Sequence, residues 1–125
     1  MPSPLRTAAI TLLGLRVAYG AGLIAAPERL TRRWLGPAAG TPPAQVPLRG
    51  LGAREIVVHG AAIGAAVRDL PLRPFLAASV AGDLADIAAT VAGRRGLPDG
   101  AAPATLAVAG GSALLSAAIA GALDE

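Results

Sequence analysis

Four apolar stretches of about 20 residues each take up most of this 125-residue chain. They cover residues 7–26, 47–67, 74–93 and 102–123, with prolines at or near their boundaries. An α-helix rises about 1.5 Å per residue, so each stretch can cross a hydrocarbon core about 30 Å thick. We therefore expect an all-α fold: a bundle of four transmembrane helices that forms one integral membrane domain over residues 1–125.

The composition agrees with a membrane protein and excludes several kinds of chemistry. Hydrophobic residues make up 54% of the chain and charged residues 15%, against about 25% charged residues in a soluble domain. Cysteine is absent, which excludes disulfides, thiolate metal sites, thiol nucleophiles and covalent haem attachment, and we expect no cofactor. Lysine and asparagine, whose codons begin with AA, are also absent, so we expect a GC-rich bacterial genome.

The first loop, over residues 28–35, has the pattern of a short helix that lies in the membrane interface. Leu30 and Trp34 are one helical turn apart, and three arginines occupy the rest of the turn. This arrangement is typical of an interfacial helix whose tryptophan lies at the depth of the headgroups.

The loop arginines also predict an orientation. Five arginines lie in the first and third loops and three on the other side of the membrane: Arg29, Arg32, Arg33, Arg94 and Arg95 against Arg6, Arg68 and Arg73. The positive-inside rule then predicts a multi-pass protein of the bacterial plasma membrane, with loops one and three in the cytoplasm and both termini outside. Because flanking arginines account for the pI of about 11.0, we expect no nucleic-acid partner.

Ionisable residues inside the apolar stretches are the main functional signal. A charge at the centre of a bilayer costs at least about 2.5–3.5 kcal/mol, so such groups usually face the interior of the bundle and pair. There are seven of them: Arg16, Arg49, Arg54, Glu55, His59, Asp83 and Asp86. All except Arg49 fall in one layer about 8 Å thick when depth is counted from the helical rise.

Helical geometry predicts which faces these groups share. Glu55 and His59 are one turn apart on the second helix, while Ser79, Asp83 and Asp86 lie within about 60° of each other on the third. Arg16 and Tyr19 share a face of the first helix, and hydroxyl-bearing residues form a stripe on the fourth. We therefore predict a polar interior in which two arginines face three carboxylates.

Three roles for this cluster are compatible with the pattern: fixing helix register, binding or moving a polar ligand, and acid/base catalysis. For catalysis, burial and neighbouring guanidinium groups can separate the proton affinities of two carboxyls, as acid/base sites require. The candidate acid/base residues are Asp83, Asp86, Glu55 and His59, and the candidate ligand-binding residues are Arg16, Tyr19, Arg49 and Arg54. We expect no metal site, because the arginines would oppose a divalent cation.

The favoured function is binding of a small or lipid-like ligand by an accessory or transport-type module of the membrane. The alternative is an intramembrane enzyme of the isomerase, cyclase or epoxide-hydrolase type that acts on a lipophilic substrate. The expected partners are membrane lipid and a lipophilic small molecule, with a second copy of the chain as a further candidate. Rows of small residues, such as Gly14–Ala18–Gly22 and Gly60–Gly64, are expected to let helices pack closely.

The second apolar stretch carries a family resemblance. The segment LRGLGAREIVVHG, residues 48–60, follows a first helix with glycine and arginine and a long loop, and it resembles small DoxX-like bacterial membrane proteins. That resemblance implies four helices and a membrane location. Some members of that group are subunits of quinone-linked oxidoreductases or occur with redox partners, although the functions of most are unknown.

Overall fold

The computed structural model describes residues 3–125 as an all-helical chain, so the first two residues of the predicted domain lie outside the description. Five α-helices follow one another, with short 3₁₀ turns at Gly36–Gly40 and Arg94–Gly96: α1 Pro4–Ala25, α2 Pro27–Leu35, α3 Pro42–Val67, α4 Arg73–Ala92 and α5 Ala101–Ala122. Four of them, α1, α3, α4 and α5, are long and apolar enough to cross a membrane. The predicted fold class is confirmed, with α2 as the short helix in the first loop.

Proline marks the start of four of these helices. Pro4, Pro27, Pro42 and Pro74 lie in the first turns of α1, α2, α3 and α4, where the missing N–H has no helical partner to lose. The prediction for α3 was wrong by five residues, since this helix begins at Pro42 and contains Pro47. With 26 residues, α3 is about 39 Å long and extends beyond the hydrocarbon core.

The four long helices form two closely packed pairs, α1 with α3 and α4 with α5. Gly20 and Gly52 make the first pair possible: a Cβ at Gly20 would lie 2.6 Å from the carbonyl oxygen of Gly52. The predicted rows of small residues lie elsewhere, and a Cβ added at Gly14 or Gly60 meets nothing within 4 Å. The close approach of α1 and α3 therefore depends on the crossing of Gly20 and Gly52, while Gly22 of the predicted rows is packed tightly against Leu30 of α2.

An apolar core closes the bundle at the end opposite α2. It draws buried side chains from all four long helices, including Leu13, Ala62, Leu76 and Ile119. The polar residues lie between this apolar core and α2. At this end of the bundle, hydrocarbon side chains of the described residues cover the ionisable cluster.

Hydrogen bonds of Arg73 and Glu125 connect the start of α4 to the end of α5, outside the apolar segments. The Arg73 guanidinium donates hydrogen bonds to the carbonyl oxygens of Ala120, Leu123 and Glu125 at 2.9, 2.5 and 2.9 Å. In return, the Glu125 carboxylate accepts from the backbone N–H groups of Leu72 and Arg73 at 2.7 and 2.8 Å. Burial alone would raise the pKa of Glu125, but these N–H donors and the guanidinium hold it below its usual value.

Candidate functional site

Arg16 joins the four long helices at the middle of the bundle. Its Nε and Nη2 donate to Oε2 and Oε1 of Glu55 at 2.9 and 3.1 Å, which gives a two-point ion pair with α3. Its Nη1 donates to Oδ1 of Asp83 on α4 and to Oγ of Ser112 on α5, both at 2.7 Å. Four of the five guanidinium N–H donors are thus in use, and the two helix pairs are linked through one side chain.

His59 extends this network on the side of the apolar core. Its Nδ1 lies 2.8 Å from the carbonyl oxygen of Glu55 and 3.2 Å from Oε2 of the same residue. Since a carbonyl oxygen can only accept, Nδ1 carries a proton. Nε2 lies 3.0 Å from Oγ of Ser79 on α4, so the imidazole links α3 to α4 with both nitrogens engaged.

Asp83 and Asp86 differ sharply in their surroundings although they are almost one turn apart. Asp83 is 3% exposed, and its Oδ1 is held by Arg16, while its Oδ2 is buried with no hydrogen-bond partner among the described residues. Asp86 is partly buried, and no ion-pair partner from residues 3–125 lies within 4.0 Å of it. Asp83 therefore has a partner for one of its two oxygens, and Asp86 has no ion-pair partner among the described residues.

Both aspartates line a cavity of about 500 Å³ that is bordered by all five helices, with Leu51 and Glu55 contributed by α3. Arg16, Glu55 and Ser112 form part of its polar inner wall, and the rest of the wall is mainly apolar. Leu15 on α1 and Val108 on α5, which are 64% and 76% exposed, belong to the lining as well. The cavity therefore opens sideways between α1 and α5, on the surface that faces lipid when these helices cross a membrane.

The short helix α2 covers one end of this cavity. Trp34 lines the cavity and donates a hydrogen bond from Nε1 to Oγ1 of Thr90 on α4 at 3.1 Å. Leu30 also lines it and lies over Gly22 of α1, where a Cβ would be 2.5 Å from its Cδ1. The predicted pairing of Leu30 and Trp34 on one face is thus seen, and this face packs on the bundle.

The predicted site residues are only partly brought together. Arg16, Tyr19, Glu55, Asp83 and Asp86 line the cavity. His59 is 2% exposed and contacts the cluster from behind rather than from the cavity wall.

Arg54 does not join the buried cluster, contrary to the expectation from depth, and Arg49, which lies outside the predicted layer, does not join it either. Both are exposed on α3, and Arg49 donates to the carbonyl oxygen of Ile24 at 3.3 Å. Residue 54 is rotated by about 100° from Glu55, which points at α1. The Arg54 charge therefore stays outside the buried cluster, although it still attracts Asp86 electrostatically.

No sequence pattern directly indicates the cavity itself. Its wall on α5 is built from small side chains, among them Ala101, Ala104 and Ala109, which leave space opposite Leu12 and Leu15. A row of small residues on one helix face is compatible with either close packing or a cavity. Only the positions of the neighbouring helices distinguish the two.

Within residues 3–125, no group of three or more histidine, aspartate and glutamate side chains is arranged to hold a metal ion. No protein-family model, curated protein or solved structure matches this chain. The resemblance of residues 48–60 to DoxX-like proteins therefore stays a prediction.

Proposed function

We propose that this protein binds a small, lipid-like molecule in the cavity under α2, as an accessory or transport-type module of a bacterial plasma membrane. The observation that carries the proposal is the shape and lining of the cavity. Its volume of about 500 Å³ falls in the range of about 300–1,000 Å³ that is usual for small-molecule sites. An apolar mouth and a polar inner wall suit a molecule with a hydrocarbon part and a polar end.

The lateral opening supports exchange of the ligand with the bilayer. Leu15 and Val108 are exposed at the mouth, so a hydrocarbon chain could enter without crossing a polar surface. At the other end of the network, the apolar core that includes Leu13 and Leu76 covers the cluster. This arrangement favours a binding site entered from one side over a continuous path for ions across the bundle.

A structural role alone is a weak explanation for the cluster. Buried ion pairs are seldom more stabilising than well-packed apolar residues of similar volume. Moreover, Asp83 Oδ2 has no partner and Asp86 has no cation within 4.0 Å among the described residues. Polar groups in a protein interior that lack hydrogen-bond or ion-pair partners are more typical of binding or catalytic sites than of a scaffold.

The proposal is tested by asking what the protein retains when it is purified from membranes. The lipophilic molecules extracted from wild type are compared by mass spectrometry with those from Ala104→Phe and Ala109→Phe, which place a phenyl ring in the cavity. Ala107→Phe is the matched control, because Ala107 is exposed on the same helix and does not line the cavity. We expect one species to be several-fold depleted in both cavity variants and unchanged in the control. Equal amounts in all four proteins would contradict the proposal.

An intramembrane acid/base enzyme is the second candidate, favoured by the unequal environments of Asp83 and Asp86. Because Glu55 has both oxygens on Arg16 and His59 is off the cavity wall, this candidate would use the two aspartates. An enzyme that protonates or deprotonates carbon would introduce deuterium into the retained species in heavy water. Loss of that label in Asp86→Asn would favour the enzyme, and absence of label in wild type would count against carbon acid/base chemistry.

A further inference from the structure

The charges on the inner wall of the cavity do not balance. Arg16 contributes one positive charge, and Glu55, Asp83 and Asp86 contribute three carboxylates. The exposed Arg54 attracts Asp86 from outside this wall, and even with its charge the carboxylates remain in excess. The imidazole of His59 lies behind this wall, with its Nδ1 proton directed at Glu55. A polar ligand therefore meets an excess of acceptors.

Arg16 has little capacity left to bind an anion. Its donors already contact two oxygens of Glu55, one of Asp83 and the hydroxyl of Ser112, so one N–H remains. A carboxylate or phosphate in the cavity would have to displace these partners and would lie beside two aspartates. Arginine in this site serves to hold the acidic wall in place.

Two carboxylate positions are unused and belong to the same wall. Only 3% of Asp83 is exposed to solvent, and its Oδ2 has no hydrogen-bond partner among residues 3–125. Asp86 is on the same face of α4, lines the same cavity and has no cation within 4.0 Å in the described part of the chain. A buried acceptor without a donor is destabilising, and a donor on the ligand would remove that penalty.

We infer that the ligand of this cavity is a lipophilic amine, whose protonated nitrogen lies between Asp83 and Asp86 and whose hydrocarbon part lies against α1 and α5. This inference rests on the proposed function, since it names the chemistry of the polar end of the ligand. An ammonium group supplies up to three donors and one positive charge, which matches the two unused acceptors and reduces the excess of carboxylates. Tyr19, which also lines the cavity, adds an aromatic ring near the charge.

Arg33 is the other arginine on the cavity wall, and its position is compatible with this ligand. It is exposed on α2, at the end of the cavity where Trp34 meets Thr90. A long arginine side chain at that depth directs its charge toward water and lipid headgroups. The inner part of the cavity, beside Asp83, keeps its acidic character.

The chain contains its own probe for the test, because Trp34 is its only tryptophan and lines the cavity. Three ω-brominated dodecyl compounds, the amine, the alcohol and the carboxylate, differ only in their polar end and quench tryptophan by contact. Titrations use the full chain in phosphatidylcholine nanodiscs at mildly alkaline pH, where the amine is protonated and the carboxylate ionised. Quenching that persists in Ala104→Phe and Ala109→Phe measures partition into lipid and is subtracted.

We expect the amine to bind at least about tenfold more tightly than the carboxylate, with the alcohol between them. Asp86→Asn should reduce the preference for the amine by about tenfold, while Asp99→Asn, in an exposed loop, should leave it unchanged. Equal binding of the three compounds, or tighter binding of the carboxylate, would overturn the inference and leave the proposed function intact. If none of the three gives cavity-dependent quenching, the proposed function fails as well.

Discussion

Gly20 and Gly52 face each other across the α1–α3 crossing, each in contact with the backbone of the other. A Cβ at Gly52 would lie 2.5 Å from the carbonyl oxygen of Gly20, and the reverse distance is 2.6 Å. The same crossing holds Glu55 close, because its Cβ would lie 2.9 Å from a Cβ at Gly20. The approach of the two backbones thus helps set the geometry of the Arg16–Glu55 ion pair.

A methyl group at this crossing should separate the helices. We expect Gly52→Ala to lower the free energy of unfolding by about 1–3 kcal/mol, the usual cost of overpacking a tight contact. Gly60→Ala on the same helix is the control, because its Cβ meets nothing within 4 Å. The control should be neutral or slightly stabilising, since alanine is the better helix former. Thermal unfolding of the two variants in detergent measures the difference, and equal midpoints would contradict the close approach.

Asp83 and Asp86 should respond differently to the same substitution. Asp83→Asn weakens the charged hydrogen bond from Arg16 and should cost about 1.5–3 kcal/mol of stability. Asp86→Asn removes a carboxylate that has no cation within 4.0 Å among residues 3–125, so stability should stay unchanged or increase. Thermal unfolding of both variants is the measurement. A large loss for Asp86→Asn would assign that side chain to the scaffold and weaken its place in a ligand site.

The contact between Glu125 and Arg73 should make one end of the bundle sensitive to acid. The pKa of Glu125 is lowered in the folded protein, so its contribution to stability is present above the ordinary glutamate pKa. That contribution is lost as the pH falls through the lowered value. Hydrogen exchange of the backbone N–H groups of Leu72 and Arg73, which donate to this carboxylate, should therefore speed up on acidification.

Glu125→Gln is the control for this pH effect. The amide keeps an acceptor oxygen but does not titrate, so the acid-dependent change in exchange should disappear after correction for the intrinsic rate. An unchanged pH dependence in this variant would show that another group is responsible.

The predicted orientation can be measured directly because the chain has no cysteine. Leu70→Cys and Asp99→Cys place single thiols in the exposed loops after α3 and α4. With loops one and three in the cytoplasm, a membrane-impermeant maleimide should label Leu70→Cys in intact cells and Asp99→Cys only after permeabilisation. The reverse pattern would invert the topology and would place α2 at the outer surface.

The helices and the polar faces could be predicted from the sequence because both follow from local periodicity. Glu55, Asp83 and Ser79 are buried as their spacing on the helices indicated. The early start of α3 at Pro42 could not be predicted, because proline in a first turn and proline in a linker look alike in sequence.

The depth of a residue along its helix predicted burial less well than its position around the helix axis. Arg54 is next to Glu55 in sequence and at the same depth, yet one is exposed and the other buried. The crossing at Gly20 and Gly52 and the cavity beside Ala109 depend on how whole helices are placed relative to one another. Local periodicity contains no information on that placement.

The network around Arg16 also bears on how the protein is made. Arg16 lies in α1, and its partners Glu55, Asp83 and Ser112 follow 39, 67 and 96 residues later in the chain. Until α3 emerges from the ribosome, the Arg16 side chain in α1 lacks all three of these partners. Release of α1 into lipid as an independent helix is then unfavourable, so its stable integration is coupled to translation of the later helices.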